Sequence, residues 1–96
     1  MSKYRKDYNK ADANQPGIVE ALEKIPGVTV QTGMDDILVG YKGKTFWFEV
    51  KIDEAHANAN SKTVRNQQKL AEEWKGHYSI IWTLDMILED IGIKQL

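Results

Sequence analysis

Ninety-six residues suffice for one domain with one hydrophobic core and are too few for two. A content of 42% hydrophobic and 28% charged residues with two prolines excludes a disordered or fibrous chain, and without a run of about 18 apolar residues or a signal-type apolar stretch near residue 1 the protein is expected in the cytoplasm. No cysteine is present, so disulfides, thiolate metal sites and a cysteine nucleophile are excluded, and the net charge of −1 gives no global basic signal for a nucleic-acid partner.

Residues 1–13 lack apolar periodicity and read as a mobile basic arm carrying Lys3, Arg5, Lys6 and Lys10. A first helix is expected from Asn14 as N-cap, with Pro16 in its first turn and Ile18, Leu22 and Ile25 on one stripe, stopped by Pro26-Gly27. Residues 28–31, 37–41 and 45–51 are rich in β-branched and aromatic side chains and are separated by Gly33 and by Lys42-Gly43, which suits three antiparallel strands. Residues 52–62, polar around His56, read as a flexible loop. A helix over 63–75 places Leu70, Ala71 and Trp74 on one face and stops at Gly76. A buried strand over 79–83 and a helix over 85–91, with Met86, Ile87 and Ile91 for the core, complete an α-β-β-β-α-β-α order. The domain proper spans 14–96.

The central hairpin carries the chemistry. If Lys42 and Gly43 form its loop, Tyr41 pairs with Lys44, and counting outward sets Asp36 opposite Glu49 on one face, roughly 5 Å apart. Like charges so placed repel, and a divalent metal or a shared proton must compensate them. Alternation sends Phe46, Phe48 and Val50 to one face and Trp47, Glu49 and Lys51 to the other. Two carboxylates and a lysine meet the needs of phosphodiester hydrolysis, with a metal held by oxygen and Lys51 orienting water or stabilising the transition state. The plainer alternative for Glu49 and Lys51 is a charge pair at a strand end.

The run Gly33-Met34-Asp35-Asp36-Ile37-Leu38-Val39 followed by Glu49-Val50-Lys51 resembles the PD-(D/E)XK nuclease superfamily, particularly the small VRR-NUC type often encoded by phages. The likeness extends to Asp12-Ala13-Asn14-Gln15 with Ile18-Val19, to residues 63–67, and to Trp74-Lys75-Gly76. It implies a restriction-endonuclease-like α/β core with a mixed four-stranded sheet flanked by helices. It further implies a Mg²⁺- or Mn²⁺-dependent endonuclease acting on branched DNA such as Holliday junctions. Asp36, Glu49 and the Val50 backbone carbonyl would hold the metal, beside Lys51. Size alone adds a homodimer, because so small a chain cannot span a junction.

The chain departs from the family pattern at Asp35, where proline is usual, and on the first helix. Glu20, the obvious acid there, projects about 160° away from the apolar stripe, whereas Gln15 lies within about 20° of Leu22. Gln15 is therefore expected to face the sheet, contacting the metal's water or the substrate, or else to cap the helix. Gln67, on the stripe of Leu70 and Ala71, is expected to orient Lys51 or a phosphate, while Gln68 turns away. Lys62, Arg65 and Lys69, with Arg5 and Lys6, are the expected phosphate contacts, or else simply solvated surface.

Gly40-Tyr41-Lys42-Gly43-Lys44-Thr45 imitates a phosphate-binding loop but lacks the first glycine and the following helix. His56 reads as solvated and His77 as marking a turn. Trp47 either stacks on a base or is partly buried, and Trp74 and Trp82 read as core. A non-catalytic nucleic-acid-binding module is the rival reading, and a protein-interaction subunit presenting Tyr4 and Tyr8 is a third.

Overall fold

The computed structural model describes residues 10–33 and 36–94, with side chains from residue 15. The order is α1 (Lys10–Glu23), β1 (Val28–Thr32), β2 (Asp36–Tyr41), β3 (Lys44–Val50), α2 (Glu54–Ala57), α3 (Lys62–Glu73), β4 (Tyr78–Ile81) and α4 (Leu84–Ile91). Lys42 and Gly43 both take positive φ, 54° and 79°, as in the type I′ turn whose twist matches two antiparallel strands. From this turn β2 and β3 pair with Tyr41 opposite Lys44 and Asp36 opposite Glu49.

The sheet order is β1-β2-β3-β4, antiparallel through the first three strands and parallel between β3 and β4. A parallel pair needs a crossover, which α2 and α3 supply. The expected α/β class with a mixed four-stranded sheet flanked by helices is thus what the chain forms. Ile37, Val39, Phe46, Phe48, Val50 and Ile81 point to one face and bury against Ile18 and Leu22 of α1 and Ile87, Leu88 and Ile91 of α4. The opposite face carries Leu38, Trp47, Glu49 and Tyr78, with α2 and α3 packed against β4. No helix among the described residues is long and apolar enough to cross a membrane.

Several boundaries differ from expectation for local reasons. α1 starts at Lys10, so the last four residues of the expected arm are helical, Asn14 is not the cap, and Pro16 lies inside the helix. Proline there gives up one intrahelical hydrogen bond. Arg5 and Lys6, with the rest of residues 1–9, lie outside the described residues, as does Asp35. Residues 52–62 are not a structureless loop. The Asp53 carboxylate accepts the His56 backbone N–H at 2.8 Å, caps α2, and leaves Ala57 buried. Ser61 caps α3 by accepting from Val64, and Thr83 caps α4 by accepting from Met86.

Trp74 is no core residue. Trp74 is the C-cap of α3, with a helical φ of −69° and its N–H donating to the Leu70 carbonyl, so it keeps the inward side of the helix but at the helix end meets Trp47 edge-on and not the core cluster. Its side chain is 48% exposed. Trp82 is half-buried, and Leu88, absent from the expected core, is buried.

Two glycines test the backbone account with opposite signs. Gly43→Ala places a Cβ at positive φ and is expected to cost roughly 1–2 kcal/mol. Gly17→Ala, inside α1 where an added Cβ meets nothing within 4 Å, is expected to stabilise by roughly 0.5–1 kcal/mol. Urea unfolding of both variants checks the pair, and a stabilising Gly43→Ala contradicts the type I′ turn.

Candidate functional site

The site grows out of the β2–β3 ladder. Asp36 and Glu49 face each other across the strands, and Glu49 lies beside Ile80 of β4. Past the end of β3 the Lys51 N–H donates to the Ile81 carbonyl at 2.8 Å, extending strand geometry by one residue and keeping Lys51 on the side of Glu49. Glu49 and Lys51 are only 6% and 8% exposed.

Each carboxylate is held by its own partners. The Tyr78 hydroxyl donates to Glu49 Oε1 at 3.4 Å, and Lys51 Nζ lies 3.9 Å from Glu49 Oε2. A buried carboxylate persists only when paired and hydrogen-bonded; Oε1 has the Tyr78 hydroxyl, and Oε2 has the Lys51 charge beside it, beyond hydrogen-bond distance. Asp36 instead accepts the Trp47 indole N–H at Oδ2, 3.0 Å away. Its carbonyl accepts the Gly33 N–H at 2.8 Å. A Cβ on Gly33 would collide with Asp36 Oδ1, so glycine leaves the room in which this carboxylate sits. Beside it an open depression of about 480 Å³ is lined by Gln31, Gly33, Asp36, Leu38 and Trp47.

Gln15 and Gln67 are turned inward. Gln15 is 6% exposed, Gln67 is half-buried, and Gln68 and Glu20 are exposed. The Oε1 atoms of Gln15 and Gln67 are buried with no hydrogen-bond partner among the described residues. Leaving such an oxygen unsatisfied costs about 1–3 kcal/mol, so each is an acceptor awaiting water or a ligand's donor.

Other expected contributors lie apart. Lys62, Arg65 and Lys69 are exposed and project from α3 away from its inward stripe of Val64, Gln67 and Ala71. The Arg65 guanidinium donates to Asn60 Oδ1 at 2.7 Å. The structure therefore gathers Asp36, Glu49 and Lys51 and leaves the basic stripe facing solvent. His56 is exposed, its ring Nδ1 2.7 Å from Asp53 Oδ1. His77 lies edge-on to Phe46 and Phe48 and 3.3 Å from Asp90. Ser79 Oγ lies 3.1 Å from the same Asp90 carboxylate and 3.3 Å from His77 Nε2, and the trio ties the start of β4 to α4. Lys44 and Thr45 open a strand, and no phosphate loop forms.

Sequence reasoning missed Tyr78 and the Trp47 N–H as carboxylate partners. Among the described residues no group of three or more His, Asp or Glu side chains is placed to hold a metal. A cation here would need Asp36 and Glu49 together with a backbone oxygen such as that of Val50. No family model, curated protein or solved structure matches the chain.

The facing carboxylates carry a stability signature. Asp36→Asn removes one of two opposed charges while its amide oxygen still accepts from Trp47, so without metal it is expected to raise stability by about 0.2–1 kcal/mol. Thermal melting in chelator checks this, and a variant that melts below wild type contradicts the opposition.

Proposed function

We propose that this chain is a metal-dependent DNA endonuclease that hydrolyses phosphodiester bonds, with Asp36, Glu49 and Lys51 at its centre. The observation that carries the reading is the register: Asp36 lies opposite Glu49, and Lys51 follows on the same side. Asp36, Glu49 and the Val50 carbonyl would hold Mg²⁺ or Mn²⁺, an all-oxygen donor set that suits a hard cation. When bound, such an ion activates water and neutralises charge developing on the phosphate.

The chain's own residues do the rest. Glu49 fixes the Lys51 ammonium from 3.9 Å, so that the lysine is positioned before substrate arrives and reorganises little during reaction. Lys51 then orients the attacking water or meets the charge growing on the phosphoryl oxygens. Trp47 sets the rotation of the Asp36 carboxylate through its 3.0 Å hydrogen bond. The buried Oε1 of Gln67 supports a role in orienting Lys51 or a phosphate, and that of Gln15 on α1 supports a contact to the metal's water or the substrate. Lys62, Arg65 and Lys69 serve phosphates remote from the cut bond. Branched DNA is the substrate class on this reading, met by a symmetric homodimer presenting two sites.

A second reading, a non-catalytic nucleic-acid-binding module with the same architecture, draws on the lack of a third acidic ligand among the described residues. Incubation with linear, nicked and four-way DNA, in manganese and in chelator, separates the two. Manganese-dependent cutting of branched DNA is expected, and binding without cutting favours the module. Lys51→Ala is expected to lower the cleavage rate by about 10²–10³-fold, the scale for losing one preorganised transition-state contact, with DNA binding retained. Cleavage at the wild-type rate in that variant rules out the assigned role.

A further inference from the structure

Three aromatic rings lead from the carboxylates out to solvent. Tyr78, whose hydroxyl reaches Glu49, meets Trp47 edge-on with ring centres 4.5 Å apart. Trp47, whose indole N–H reaches Asp36, meets Trp74 at 5.2 Å and 81°. Trp74 is 48% exposed, and Leu38, directly opposite Trp47 on β2, is 43% exposed. Gln31, opposite Leu38 on β1, adds an exposed amide at the edge.

We infer that this ledge of Trp74, Trp47 and Leu38 is a stacking site for one unpaired nucleobase, so that the strand engaged at Asp36 and Glu49 is bound with a base turned out of its stack. The inference deepens the nuclease reading and rests on it for the class of ligand. Continuity is the first argument, because Trp47 is both a wall of the ledge and the donor to Asp36. A base on the ledge therefore belongs to a nucleotide adjoining the carboxylates.

Size is the second argument. Leu38 and Trp74, each about half exposed, offer on the order of 200 Å² of apolar surface, which suits one base and falls well below the roughly 800 Å² per partner that a stable protein interface buries. Charge is the third. Glu72 and Glu73 are exposed just before Trp74 and Lys75 just after it, so the ledge has no net positive charge to draw a phosphate. What it offers is ring surface, which takes a base only when that base has left its duplex stack.

The test compares binding of a short oligothymidylate with that of an abasic strand of equal length, in chelator, where a metal-dependent enzyme cannot cut. Wild type is expected to bind the oligothymidylate more tightly, with quenched tryptophan fluorescence. Trp74→Ala is expected to lose about tenfold in affinity for the oligothymidylate, within the range for removing one stacked base, and to bind the abasic strand as wild type does. Trp74→Phe keeps a ring and should retain most of the affinity. Should Trp74→Ala fail to fold, Leu38→Thr, which trims the ledge at an exposed strand position, is expected to lower only the oligothymidylate affinity, about threefold. Equal losses for both strands, no loss for either, or dissociation of a dimer by Trp74→Ala each overturn the stacking site. A protein that stacks the base yet cuts no DNA upholds this site and removes the nuclease reading alone. Cutting of branched DNA with undiminished affinity in Trp74→Ala removes this site alone.

Discussion

The turn at Lys42-Gly43 holds β2 and β3 in the one register that sets Asp36 against Glu49. Side-chain direction along a strand has a period of two, so a slip of one residue would send every side chain of β3 to the other face. Phe48 and Val50, now fully buried, would meet solvent, and Glu49 would enter the apolar core. Turn geometry and hydrophobic burial therefore demand the same pairing, and the polar groups on the far face are carried along by it. That agreement between local and global preference makes the carboxylate arrangement a fixed property of the fold.

The two faces of the sheet divide the labour. α1 and α4 close the apolar face over a continuous cluster, while the other face keeps a buried Glu49, a buried Lys51 and an inward Gln67 close to β4 and its crossover. Buried charges weaken a fold unless partnered, and a buried amide oxygen without a donor weakens it further. The chain tolerates these features because its stability comes from the opposite face.

Legibility followed the reach of each physical signal. The hairpin register was readable because a two-residue loop with a glycine determines it by counting. The inward turn of Gln67 over Gln68 followed from a helix that is regular at that point. Tyr78 was not readable as a partner of Glu49, since the parallel register of β4 is set by the packing of a crossover and by no turn. Trp74 escaped because helical spacing gives the side of α3 it lies on but not that the helix end carries it only edge-on against Trp47, with half its surface exposed. The short helix α2 was signalled only by Asp53 standing three residues before His56, too brief a pattern to outweigh a polar stretch. In the candidate site, the strand-borne residues were legible and their hydrogen-bond partners were not.

Paramagnetic broadening by substoichiometric Mn²⁺ in an amide NMR spectrum locates a cation bound at Asp36 and Glu49 without assuming any activity. The signals of Asp36, Glu49, Val50 and Lys51 are expected to broaden first, and those of the exposed acids Glu72 and Glu73 to remain sharp at the same manganese ratio. Broadening centred on Glu72 and Glu73, or spread evenly over the surface carboxylates, would contradict a metal site built on the β2–β3 register.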